Sequence, residues 1–242
     1  MNNQILSAQK LIKILKSYGT TDKAKGMSRF FKTGKGEYGE GDIFLGVKMP
    51  ELNEIAKNNF ANIDMNTIEG LILSEYHEAR MLGIILLKRV FVRNKKNPEI
   101  QEKCVSLYLS NINSFNNWDL VDLSCKDILG PWLENRDRKL LYDLAESNSL
   151  WKERIAIITT LYFIKKDDYT DTLILSDMFI NHKHDLMQKA TGWMLREIGK
   201  RNIDVLKNYL STRYKSMPRT MLRYAIEKFD TNERKLYLEG KI

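Results

Sequence analysis

The sequence predicts an all-α protein built as a curved solenoid of helix pairs, with one helix of each pair lining the concave side. Three observations predict it. Apolar residues recur at spacings of three and four almost throughout, whereas strict alternation is scarce. Helix-starting and helix-breaking residues punctuate the chain at short intervals. Several helical segments also repeat one another in pattern, and a helix pair that cannot bury its apolar face alone must stack on the next.

Taken in order, LIKILKSYG opens the chain's helical pattern, and Pro50 starts PELNEIAK at a first-turn position. ARMLGIILLKRVFV follows, Asn97-Pro98 separates two helices, and Gly130-Pro131 ends another. RKLLYDLAE and ERIAIITTLYFIKK continue the pattern, and Pro218 opens PRTMLRYAIEK. Aligning HEARMLGIILL, KERIAIITTLY, MQKATGWMLRE and PRTMLRYAIEK brings Glu78, Glu153, Gln188 and Arg219 into register at intervals of 75, 35 and 31 residues. The first interval is about two units long, and the helix that begins NNWDLVDLS lies within it. The expectation is roughly a dozen helices, no strand, and a single domain over residues 1–242.

The one long non-helical stretch is KTGKGEYGEGD, residues 32–42. Gly34, Gly36 and Gly39 have the spacing of a dinucleotide-binding fingerprint, but that motif needs a strand before it and a helix immediately after. A helix precedes it here, and Glu37, Glu40 and Asp42 would repel phosphate. A flexible, glycine-rich surface loop is expected, one able to reorganise when a partner binds.

The chain carries 39 basic against 31 acidic residues, a formal charge of +8. That balance favours a polyanionic partner, nucleic acid first and an anionic membrane surface second. No apolar run approaches a membrane span and the start lacks a secretory layout, so a soluble, cytoplasmic protein is expected. Cys104 and Cys125 fall within helical apolar patterns and read as reduced core thiols. His182 and His184 flank Lys183, and His77 stands alone; all three read as surface residues, and no metal or other cofactor is expected. Neither a serine elbow nor a cysteine–histidine pair is present, which excludes hydrolases of those types.

Four residues remain. In NNWDLVDLS a helix puts Trp118 and Asp122 one turn apart on one face, with Asp119 as a first-turn acid suited to capping and the helix dipole. Arg154 and Trp193 lie in the repeated helices of the following units. Singly, each has a structural explanation: Trp193 as core, Arg154 over a helix N-terminus, and Asp122 paired with Lys126. In a solenoid, however, equivalent helices share the concave face, where all four could converge.

FNNWDLVDLS, LWKERIAII and QKATGWMLREIGK, with FLGVKMPELNEIAK before them, resemble the AlkD-type DNA alkylation repair glycosylases, a family of α-helical HEAT-like repeat proteins. The motifs occur in the family's order from about Met27 to about Phe229. The resemblance implies a HEAT-like solenoid with a concave basic face. It implies that Trp118 and Trp193 lie against the deoxyribose of the damaged nucleotide, that Asp122 is the catalytic carboxylate and that Arg154 holds the DNA backbone. Phe30 falls where a family member can carry a tyrosine, so any hydroxyl contact to DNA there would be absent. Lys189 and Arg196 are the further DNA-contacting positions, and the 32–42 loop looks like an insertion relative to the shortest members.

The implied activity is monofunctional excision of cationic N3- or N7-alkylated purines from double-stranded DNA by a cytoplasmic, nucleoid-associated monomer. Alkylation makes the base a good leaving group, so the enzyme needs mainly to stabilise an oxocarbenium-like sugar and to place a water. A carboxylate and two indole faces suit that cation. Arg89, Arg93, Lys95, Lys96, Lys165, Lys166, Arg196, Lys200 and Arg201 recur near helix ends and could grip phosphates, although the helix dipole alone also favours cations there. Two alternatives stay open at this point: a non-catalytic HEAT-like module binding damaged or branched DNA, and a protein scaffold.

Overall fold

A computed structural model describes residues 5–242, and among these the regular structure is helical throughout. The chain divides into two compact units, the first ending at Ser124 and the second beginning at Cys125. The first holds α1 (Ala8–Tyr18), α2 (Thr21–Phe30), α3 (Met49–Asn59), α4 (Met65–Ile72), α5 (His77–Arg93), α6 (Pro98–Ser110) and the start of α7 (Trp118–Trp132). Their boundaries follow local chemistry. The Asp64 carboxylate accepts the Thr67 N–H at 2.8 Å to cap α4, and Asn97 caps α6 by accepting from Ile100 at 3.2 Å, with Pro98 first in the helix.

The core of this unit is α5. Every residue from His77 to Leu87 is buried, and α1, α3, α4 and α6 pack around it. A helix buried on all sides must satisfy its polar residues internally, and Glu78 does so by accepting the N–H groups of Leu45, Gly46 and Val47 at 2.7 to 3.1 Å. Gly46 has φ +84°, and a Cβ there would lie 2.5 Å from the Thr20 carbonyl oxygen, so this clamped turn requires glycine. His77 N–H donates to the Ile43 carbonyl at 2.9 Å beside an isolated bridge, and no strand occurs among the described residues.

Gly130-Pro131 does mark a helix end: α7 stops at Trp132, one residue beyond Pro131, which has no N–H to offer the helical ladder. The expectation for the 32–42 segment is refined: it is largely exposed, as a surface loop is, but it is folded on itself and anchored at two buried points. The Glu37 and Glu40 carboxylates fold back to accept the N–H groups of Gly34 and Gly36, each at 2.8 Å. Gly39 and Asp42 are buried, and a Cβ on Gly39 would lie 2.6 Å from the Phe31 carbonyl. The acids that would repel phosphate serve to fold the turns and to anchor their end.

The second unit continues with α8 (Lys139–Ala145), α9 (Leu150–Thr159), α10 (Leu161–Ile164), α11 (Thr170–Met178), α12 (Asp185–Arg201), α13 (Ile203–Arg213), α14 (Arg219–Ala225) and α15 (Thr231–Glu239). The repeated segments become neighbours here, with α9 packed on α12 and α12 on α14. Gly192 permits the second contact, since a Cβ on it would meet the Met221 carbonyl oxygen at 2.4 Å and the Tyr224 Cβ at 2.6 Å. Gly192→Ala is therefore expected to destabilise the protein by about 1 to 3 kcal/mol despite alanine's better helix propensity. A urea melt checks this, and a variant as stable as the parent would contradict the close crossing.

Cys104 and Cys125 are buried and outside any disulfide, and burial pushes the Cys104 pKa up to about 11. Among the described residues, no helix is long and apolar enough to cross a membrane.

Candidate active site

The first turns of α7 present Trp118, Asp119, Asp122 and Leu123 to a cavity of about 320 Å³. The positions are one and four apart, which sets them on adjoining stripes of the helix. Phe31, at the end of α2, Met49, at the start of α3, and Met81, on α5, supply the remaining walls. The lining is thus hydrocarbon, sulfur and indole, interrupted by two carboxylates. The Trp118 ring stacks on Phe31, centroids 5.3 Å apart and planes 22° from parallel, and Phe30 meets it edge-on at 6.0 Å. Phe30 is 65% exposed, so of the two phenylalanines it is Phe31 that builds the cavity.

Behind this wall lies a buried charge cluster centred on His77. The expectation of a surface histidine is overturned: His77 is only 2% exposed. Its Nδ1 is 3.0 Å from an Asp42 carboxylate oxygen and its Nε2 is 2.9 Å from Asp119 Oδ2. The ring stacks on Phe44 at 4.4 Å, and Phe44 in turn stacks on Phe31. Arg80 donates to Asp42 at 2.5 Å, and Asn116 donates to the same carboxylate at 2.7 Å. Burial by itself would lower the histidine pKa, but hydrogen bonds and charge from Asp119 and Asp42 outweigh it and raise the pKa to about 9. The imidazole is therefore a cation at neutral pH. Burial likewise opposes ionisation of Asp42, yet His77, Arg80 and Asn116 overcome it and hold that carboxyl below its ordinary value.

This cluster separates the two pocket carboxylates. Both oxygens of Asp119 are engaged, Oδ2 by His77 and Oδ1 by the Leu120 N–H at 2.9 Å. Asp119 does sit in the first turn of α7, but its main partner is a buried cation 42 residues earlier in the chain. Asp119 thus faces a buried cation of its own, while Asp122 lines the cavity beside it.

The second unit holds the other candidates. Arg154 is buried on α9 and donates to the Leu186 carbonyl at 2.6 Å, which ties it to the first turn of α12. Lys189, Trp193 and Arg196 lie four and three apart on α12, hence along one side of that helix. Lys189 pairs with Asp185 at 2.5 Å, the Trp193 indole N–H donates to Glu197 at 2.9 Å, and Arg196 pairs with Glu227. Several basic residues read as phosphate grips are also ion-paired: Lys166 with Glu134, Arg201 with Asp167 and Lys200 with Glu197. His182 Nε2 lies 2.9 Å from Glu153, and His184 is the N-cap of α12, so both have structural work at a helix junction. No group of three or more His, Cys, Asp or Glu side chains placed to hold a metal ion occurs among the described residues.

Phe31, Met49, Met81, His77 and Asp42 belong to the site region without having been singled out in sequence. A local signal existed for Phe31, beside Phe30 in MSRFFK. None existed for the His77–Asp42–Asp119 cluster, whose members lie 35 and 42 residues apart.

Helix and site together define a helical-repeat protein with a carboxylate-bearing, apolar pocket and an excess of positive charge. The chain belongs to the family of DNA alkylation repair enzymes, whose model matches residues 11–229. It is accordingly an enzyme-family protein of DNA repair with DNA as its substrate class. A comparison with curated proteins finds no sequence match. Among solved structures, a predicted DNA alkylation repair enzyme from Enterococcus faecalis is similar over 88% of this chain and 97% of that one. The TM-score is 0.66 at 18% sequence identity, a likeness of fold.

Proposed function

We propose that the chain is a monofunctional DNA glycosylase, acting as a cytoplasmic, single-domain monomer over residues 1–242, that excises N3- or N7-alkylated purines from duplex DNA. The observation that carries this is the shared cavity of Trp118 and Asp122 in a member of a DNA alkylation repair family. The alkylated purine is cationic. As its bond to C1′ lengthens, the bonding electron pair neutralises the base and positive charge moves to the sugar. Asp122 faces that charge, and the Trp118 ring supplies a negative π face worth about 0.5 to 2 kcal/mol to a cation. Apolar walls make both interactions stronger than in water. Water then adds at C1′ and passes its proton to Asp122, leaving an abasic site. In the second unit, Trp193 is assigned to the sugar, and Arg154, Lys189 and Arg196 to the DNA backbone, with Phe30 as a ring contact in place of a hydroxyl.

The test is incubation of the full chain with methylated duplex DNA and identification of released bases. Free 3-methyladenine or 7-methylguanine is expected, with strands intact until the abasic sites are cleaved by alkali. Binding of the DNA with no base released would overturn the glycosylase reading in favour of a non-catalytic module.

A further inference from the structure

Two walls of the active-site cavity come from distant parts of the sequence, Phe31 at the end of α2 and Trp118 at the start of α7, and their rings stack. The 32–42 segment lies between them. It leaves α2 through Lys32, whose φ of +55° turns the chain back sharply, and the Gly39 N–H then donates to the Lys32 carbonyl at 3.0 Å. Gly39 fills the crevice where the two walls meet. A Cβ on it would lie 2.6 Å from the Phe31 carbonyl oxygen and 3.0 Å from the Asn117 amide nitrogen.

The segment ends on Asp42, whose side chain is only 2% exposed. Its Oδ1 accepts from Arg80 at 2.5 Å and from Asn116 at 2.7 Å. Its Oδ2 lies 3.0 Å from His77 Nδ1 and 3.4 Å from the Asn117 amide nitrogen. Two of these partners stand on α5, and the other two directly precede Trp118. The backbone beside Asp42 is pinned as well, since the Ile43 carbonyl accepts the His77 N–H at 2.9 Å. Asn117, wholly buried, passes the restraint on to both walls. Its side-chain oxygen accepts the Trp118 N–H at 2.9 Å, and its amide nitrogen is 3.5 Å from the Phe31 carbonyl oxygen.

Stability alone does not call for this arrangement. Apolar side chains of similar volume commonly hold a core as well as a buried ion cluster does, because they carry no desolvation cost. What a carboxylate with four directed partners adds is a fixed geometry. We infer that Asp42 is a positioning residue of the active site and that the 32–42 segment is its brace: together they hold the start of α7 against α2, and so the Trp118 ring against Phe31 in the cavity that Asp122 lines. The consequence for reaction rate rests on the glycosylase reading; the placement of Trp118 does not.

Three variants of the full chain loosen the brace at different points. Asp42→Asn keeps the volume and removes the charge, Gly39→Ala drives a methyl group between the walls, and Asn116→Ala, at a half-buried position, deletes one donor to Asp42. Thr67→Ala is the control for lost stability in the same unit, since it deletes a hydroxyl bond to the Leu6 carbonyl and lines no part of the cavity. Urea melts first establish which variants are folded. Acrylamide quenching then reports on Trp118, its emission isolated as the difference from the same protein carrying Trp118→Phe. A steeper quenching slope than the parent's is expected in Asp42→Asn and Gly39→Ala, a smaller increase in Asn116→Ala, and none in Thr67→Ala.

Single-turnover base release at saturating enzyme is expected to fall at least about tenfold in Asp42→Asn and Gly39→Ala, since a misplacement of about 1 Å at a reacting centre can cost about 10² in rate. Duplex affinity should stay near the parent's, because the phosphate contacts are untouched. If Asp42→Asn does not fold, Gly39→Ala and Asn116→Ala carry the test. Unchanged Trp118 quenching in the folded variants would overturn the proposal, as would a loss of rate no greater than that of Thr67→Ala. A parent that releases no base counts against the glycosylase reading instead, and the quenching measurement still decides the brace.

Discussion

Replacing Asp122 by Asn is expected to lower the single-turnover rate of base release by at least about 100-fold while duplex affinity persists. The loss follows from removing a full negative charge beside a developing sugar cation in an apolar cavity, where a single preorganised electrostatic contact is typically worth a factor of 10² to 10³. Asparagine keeps the volume and the helix, so the change isolates the charge. Asp119→Asn provides the contrast, because that carboxylate already spends both oxygens on His77 and the Leu120 N–H. Its principal effect should be on unfolding free energy. Full excision by the Asp122 variant, or an equal chemical loss from Asp119→Asn at unchanged stability, would show that the two roles are misassigned.

Replacing His77 by Leu is expected to destabilise the first unit by about 3 to 5 kcal/mol, since it leaves Asp42 and Asp119 as buried carboxylates robbed of their shared cation. Arg80 would still face Asp42, but Asp119 would lose the imidazolium that faces it. The same cluster gives the parent a defined pH response. The folded histidine pKa of about 9 lies above its unfolded value of 6.5, so its contribution is complete below pH 6.5 and is lost as pH rises through about 9. The difference corresponds to about 3 kcal/mol. Asp42 acts in the opposite sense: its lowered pKa gives stability that is present above its ordinary value near 3.8 and lost as pH falls further. Urea melts of parent and His77→Leu between pH 5 and 10 check this. Parallel curves with no convergence above pH 7 would mean that His77 is not a buried cation.

Much of the fold was readable because its signals are local. Periodic apolar residues, the Asn97-Pro98 start of α6 and the Pro50 start of α3 depend on neighbours within one or two turns, and the helices appear where these mark them. The repeat alignment also carried over, with α9, α12 and α14 packed in succession. Gly130-Pro131 is a local signal of the same kind, and α7 ends one residue beyond it, at Trp132.

At the site the division is similar. Trp118 and Asp122 were paired by helical spacing, and they do share a cavity. Asp119 read as a first-turn acid because its helix position is visible locally and its partner is not. Residue type misdirected the reading of His77 as a surface residue, and it gave no hint of how the largely exposed glycine-rich acidic segment is anchored. In the folded chain Glu37 and Glu40 cap their own turns, and Asp42 at the end of that segment enters the core to meet His77 and Arg80.

By itself, then, the sequence determined the helices, their repetition, the family and the Trp118–Asp122 pair, all properties of residues close together along the chain or of ordered motifs. Tertiary structure alone decided which carboxylate is neutralised, that Phe31 rather than Phe30 walls the cavity, and that His77 is a charged core residue. Those outcomes depend on burial and on partners tens of residues away. In a low-dielectric interior the sign and distance of a neighbouring charge, not the identity of the residue, set what an acid or a histidine does.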